Sequence, residues 1–145
     1  MDLPSLFGAL PADTIAAVAS DPGGLTSTGQ VYVSNSRRAA TSDVEAWWRH
    51  PFTRETEERT PGGTIVRYLA ELRVGGRGTS ATIAQLESWA DQLRGYFDGA
   101  QRPAGITDHF ATTVDAYDYL EGDQRDTDRE LLMVVSFVGT ERHTV

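Results

Sequence analysis

The chain has 145 residues and a mass of 15.8 kDa, the size of one domain that buries roughly 70% of its unfolded surface; without cysteine it holds no disulfide, thiolate nucleophile or Cys-ligated metal. All 13 of its basic residues are arginine, set against 21 acidic residues, and the net charge of −8 argues against holding nucleic acid by phosphate neutralisation or binding an anionic membrane. A mean hydropathy of −0.36 and a longest apolar run of only Leu131–Val135 describe a soluble chain with no membrane span, and residues 1–20 lack the pattern of a signal peptide.

Residues 3–20 carry Leu3, Leu6, Phe7, Leu10, Ile15 and Val18, a helical pattern expected to be interrupted or restarted at Pro11, with Asp13 as a cap. The breaker run Asp21-Pro-Gly-Gly24 ends it. One domain over 1–145 is expected, an N-terminal helical segment in 1–24 followed by an α+β core in 25–145. Within that core Gln30–Asn35 is β-branched and aromatic, a first strand. A polar Arg-bearing loop, Ser36–Asp43, precedes a second strand over Val44–Arg59, bent near Pro51 because proline donates nothing to a ladder.

After the turn Pro61-Gly62-Gly63 the strand Thr64–Val74 alternates cleanly. Val66, Tyr68, Ala70, Leu72 and Val74 fall on one face, and Ile65, Arg67, Leu69, Glu71 and Arg73 on the other, the mark of a sheet covered on one side. Ile83, Leu86, Ala90, Leu93 and Phe97 then recur at helical spacing, predicting one long amphipathic helix over about Ser80–Asp98, capped by Thr79, Ser80 or Thr82 and ended by Gly99. Val114–Leu120 and Glu130–Gly139 read as fourth and fifth strands joined by a charged turn. The fifth is apolar on both faces, so it is central or covered on its second side. The fold class is therefore α+β, a mostly antiparallel sheet of about five strands with the long helix packed on it and a helix at the N-terminus.

Motifs for chemistry are weak. Gly76-Arg-Gly-Thr-Ser-Ala81 has the spelling of a dinucleotide-binding turn, but Asp98 closes the helix instead of a following strand, and a tight strand-to-helix turn accounts for the glycines. A P-loop is excluded by the lack of lysine. The acidic run Asp115–Glu130 fails the ligand alternation of a calcium loop and reads as a solvated turn, with weak ion binding left open. His50, His109 and His143 show no zinc spacing; His109 beside Asp108, or His50 near Glu55, Glu57 and Glu58, would serve a small enzyme or ligand-binding domain only if they converged in a pocket. No catalytic, cofactor or metal residue is assigned. The pair Trp47-Trp48 is different: neighbours on a strand face opposite sides, so one indole needs cover from a loop, a helix or a partner subunit. Tryptophan and arginine are also the residues that anchor interfaces.

From Val31 onward the chain resembles the tail-terminator, or tail-completion, proteins of long-tailed bacterial and archaeal viruses. The resemblance rests on Val31-Tyr-Val-Ser-Asn35, the segment Trp47-Trp48-Arg49 to Thr60, the strand Val66–Val74 with its glycine break, Phe97-Asp98-Gly99, Gly105-Ile106 and the last strand Leu131–Val138. It implies an α+β subunit of a ring, commonly a hexamer, that binds the last ring of the tail tube protein, stops polymerisation and docks the head–tail connector. It implies no enzymatic activity or cofactor, a place in the virion's tail or neck after assembly in the host cytoplasm, and double-stranded DNA passing through an acidic channel without specific binding. The expected subunit and partner contacts are Trp47, Trp48, Phe52, Arg67, Leu69, Arg73 and Arg77. Rival readings are another neck or connector ring, a tail tube subunit, or the histidine-based domain above.

Overall fold

The computed structural model describes residues 2–19, 31–34, 44–76, 83–98, 109–121 and 129–142. Two helices of 15 residues each, α1 (Leu3–Ala17) and α2 (Ile83–Phe97), accompany five strands: β1 (Val31–Ser34), β2 (Val44–Thr60), β3 (Gly63–Gly76), β4 (His109–Glu121) and β5 (Arg129–Arg142). The class is α+β, with the strands in one sheet ordered β1-β2-β3-β5-β4. All pairings are antiparallel except that of β1 with β2, which run side by side through Val31–Ala46 to Ser34–Arg49. Two hairpins, β2–β3 and β4–β5, supply most of the sheet. β3 and β4 are consequently parallel with β5 between them, and α2 forms the crossover that joins them. Neither helix is long and apolar enough to cross a membrane.

Both helices lie on one face of the sheet. The residues Val66, Tyr68, Ala70, Leu72 and Val74 of β3 are at most 1% exposed, and opposite them across the ladder Leu131, Met133, Val135 and Phe137 of β5 are fully buried. Leu86, Trp89, Ala90, Leu93 and Phe97 of α2 and Leu6 and Leu10 of α1 close this core. Trp48 sits at its centre, its ring 5.5 Å from Phe97 and 6.0 Å from Phe137. A stripe built on steps of three and four side chains is what a single apolar helix face needs to meet a sheet.

Three expectations for the helices are corrected. Rather than breaking at Pro11, α1 runs through it; the proline lacks an N–H, yet the packing of Leu6, Leu10 and Thr14 on the sheet holds the helix across the gap. Its N-cap is Asp2, whose carboxylate accepts from the Ser5 N–H at 2.9 Å, and not Asp13, which is buried and accepts from the Tyr96 hydroxyl at 3.2 Å. Nor does α2 stand alone as the one long helix: it spans 15 residues, as α1 does. The caps proposed for it at Thr79, Ser80 or Thr82, with Gly99, lie outside the described residues, as do the loop 36–43 and most of the acidic turn, 122–128.

The bend expected near Pro51 is present: the β2–β3 register shifts between Arg49 and Thr53, and shifts again at Glu57, an extra residue between Thr56 and Glu58. β4 has the same feature twice, with Phe110 and Asp115 as the extra residues.

Candidate functional site

Alternation along the strands puts a second set of side chains on the sheet face turned away from the helices. Pairing places Trp47, Arg73, Leu132 and Asp118 in one row across it, Arg49, Glu71 and Val134 in the next, then Thr53, Leu69, Ser136 and Thr113, then Glu55, Arg67 and Val138. Leu69, Leu132, Val134 and Val138 are half-buried. The surface is thus a chequer of aliphatic side chains and ion pairs.

The charged groups form two clusters. In the first, Arg49 Nη1 donates to Glu71 Oε2 at 3.4 Å, while Arg73 lies 3.9 Å from that oxygen and 3.6 Å from Glu130 Oε2. In the second, Arg67 Nε donates to Glu57 Oε1 at 2.7 Å, and that bond, helped by nearby carboxylates, raises the guanidinium's pKa. Beside it the Ser136 hydroxyl donates to Asp115 Oδ2 and the Thr113 hydroxyl to Asp115 Oδ1, tying down the extra residue of β4. Exposed pairs of this kind contribute little stability, about 0–1 kcal/mol each, and chiefly fix the side chains they join.

Beyond Phe52 the β2–β3 hairpin becomes an arm. Thr53 to Arg59 are all exposed. β1 pairs with β2 only as far as Arg49, so the outer edge of the arm has no strand beside it among the described residues. The arm is held straight by three devices: Arg67–Glu57, the Thr60 hydroxyl donating to Gly63 O at 2.8 Å, and Arg54 donating twice to Glu141, at 3.1 and 2.9 Å. The Tyr68 hydroxyl donates to the same Glu141 carboxylate. Burial, then that bond, pushes the Tyr68 phenol up to about 12, and Arg54 holds Glu141 below the usual carboxylate value.

The expected contact residues divide. Arg67, Leu69 and Arg73 share the face just described. Trp48 and Phe52 do not: Trp48 is 0% exposed with its indole N–H bonded to Thr14 Oγ1 at 2.8 Å, and Phe52 packs edge-on against Phe7 at 4.7 Å beneath α1. Trp47 does face away from the helices, in register with Arg73, but is only 3% exposed within the single chain. Of the covers expected for the second indole, a loop, a helix or a partner subunit, the single chain already supplies one, since both indoles are buried within it. Arg77 and the histidine side chains of His50 and His109 lie outside the described residues, and among those described no three His, Asp or Glu are grouped to hold a metal. Two features went unread in the sequence: the arm, whose signal is the charged run Thr53-Arg-Glu-Thr-Glu-Glu-Arg59 on a strand longer than its parallel partner, and Trp89, which lies three residues after Leu86 and four before Leu93.

The whole architecture is similar to that of a chain in the virion of a native gene transfer agent (GTA) particle, with a TM-score of 0.66 over 92% of this chain and 96% of that one at 13% sequence identity. At such low identity the likeness concerns the fold. No protein-family model and no curated protein matches the chain.

Proposed function

We propose that the chain is a non-enzymatic structural subunit of a virion and, within that class, a tail terminator: a ring, of six subunits by the family resemblance, that ends the tail tube and receives the head–tail connector. The observation that carries the reading is the match of nearly the whole chain, and nearly the whole of its counterpart, to a subunit of a virus-like particle. The sheet face supports it, since half-buried aliphatic groups set among oriented arginines suit association with other subunits better than catalysis. A net charge of −8 per subunit would make a ring repel phosphates, so that DNA slides through instead of adhering.

The test is assembly. Purified protein examined by native mass measurement and light scattering is expected to give discrete rings that stop growing, and rings added to tail tube protein are expected to cap its polymerisation. Open-ended growth would assign the chain to the tube instead, and a protein that stays monomeric with and without tube protein would refute the reading.

A further inference from the structure

We infer that the arm of one copy docks on the sheet face of the next, with Glu55 or Glu58 completing the hydrogen bonding of Arg73. The inference rests on the ring reading above and names its contact.

Arg73 is ion-paired through both Nη atoms but loosely held. Its nearest carboxylates, Glu130 at 3.6 Å and Glu71 at 3.9 Å, orient it without reaching hydrogen-bond distance, and Glu71 is engaged by Arg49. Its Nε is buried and has no hydrogen-bond partner, while the side chain as a whole remains 25% exposed and reachable from outside. Leu132 stands directly across the ladder and Val134 in the next row, so a bond made here is partly shielded from water. A planar fork in such a setting selects a carboxylate, which it can hold through two parallel N–H bonds.

The arm offers the matching groups. Glu55 and Glu58 are exposed, make no hydrogen bond or close ion pair among the described residues, Glu55 feeling Arg67 only at a distance, and by register lie on the same side of the sheet as Arg73. They cannot reach it within one chain. Glu58 pairs with Ile65 and Glu55 with Arg67, eight and six residues from Arg73 along β3. At 3.3 Å per residue that is roughly 20–26 Å, beyond the span of any side chain. Donor and acceptor therefore meet only between copies. Groups at opposite ends of one face can meet in a two-fold dimer or head-to-tail, and the ring reading selects the head-to-tail contact, the kind that closes into a ring when its rotation closes. The three bonds that hold the arm reduce the ordering it must undergo on docking.

Charge exchange tests it. Arg73→Glu, and separately Glu55→Arg with Glu58→Arg, are each expected to weaken self-association on the order of a hundredfold, as for a desolvated interfacial charge pair, and to leave monomers in sedimentation. Arg73→Gln, which keeps a polar side chain without the charge or the fork, is expected to behave alike, and circular dichroism with thermal melting identifies any variant lost to misfolding. A chain carrying all three reversals is expected to assemble again. The two defective proteins mixed together, in which native and reversed pairs alternate from copy to copy, are expected to assemble where neither does alone. Rings that persist in the correctly folded single-site variants, or no recovery in the combined chain, would overturn the contact and leave the ring reading standing. A wild-type protein that remains monomeric at every concentration overturns both.

Discussion

Thr14→Val isolates the polar bond that seats α1 on the sheet. The Thr14 hydroxyl is fully buried; it donates to Leu10 O at 2.7 Å and accepts from Trp48 Nε1 at 2.8 Å. Valine keeps the branched shape and removes the acceptor, leaving the Trp48 N–H unpaired beside side chains that are 0% exposed. The Leu10 carbonyl still receives its own helical N–H, so the loss is that of one buried donor, about 1–3 kcal/mol. For a chain of this length each kcal/mol moves the melting point by about 2–4 °C, so a fall of roughly 2–12 °C is expected. Urea unfolding at fixed protein concentration should show a lower midpoint with an unchanged slope. A double-mutant cycle sharpens the assay: once Trp48→Phe has removed the donor, Thr14→Val should cost almost nothing, giving a coupling of about 1–3 kcal/mol. Stability of Thr14→Val within about 0.5 kcal/mol of wild type, or additivity in the cycle, would refute the role assigned to this bond.

Tyr68 makes the protein sensitive to alkali: its folded pKa of about 12, raised by burial and by its bond to Glu141, means its contribution to stability is intact below pH 10 and is lost as pH rises toward 12. Urea midpoints at pH 9 and pH 11.5 should converge for Tyr68→Phe relative to wild type; an unchanged difference removes Tyr68 as the cause. Glu141 works in the opposite sense, since a carboxylate held low by Arg54 stabilises the fold above the ordinary carboxylate range and stops doing so as acid protonates it. Glu141→Gln should therefore flatten the loss of stability on going from pH 6 to pH 3. Trp89→Ala empties a site that is 0% exposed and should cost about 3–5 kcal/mol, a melting point lower by roughly 10 °C or more, read by thermal circular dichroism.

Where a local pattern has a single geometric meaning, the fold was legible in advance. The period of two in Val66–Val74 defines a covered face whatever covers it, and the residues it names are buried. Proline's missing donor placed the irregularity of β2 near Pro51. Long-range pairing had no such signal. Nothing in four residues, Val31–Ser34, distinguishes a parallel edge strand from an antiparallel one, and the alternation of Val114–Leu120 did not announce that β4 starts at His109, ahead of a bulge. The tryptophan argument shows where direction and cover part company. Alternation does send Trp47 and Trp48 to opposite faces, as their registers with Arg73 and Leu72 require, but it says nothing of what the rest of the chain lays over each face. Alanine at both positions would thus injure the fold of one subunit before it tested any contact between subunits.

The edges of the sheet also bear on how copies can meet. A free strand edge invites another strand, and sheets resist this with bulges and charge. Two edges of this sheet carry such protection: the arm of β2, which runs beyond the end of β1, has irregularities between Arg49 and Thr53 and at Glu57 with arginine and glutamate along it, and the outer strand β4 has extra residues at Phe110 and Asp115. Each bulge twists the edge and interrupts the row of donors and acceptors that a neighbouring strand would need. Continuous sheet formation from copy to copy is therefore disfavoured along the arm and along β4. The same twist and charge do not obstruct a contact made through side chains, which needs only a projecting element and a receiving face. A sheet with a bulged outer strand, a stiff charged arm and a face bearing an incompletely bonded arginine is better suited to a limited head-to-tail contact than to strand addition along either of those edges.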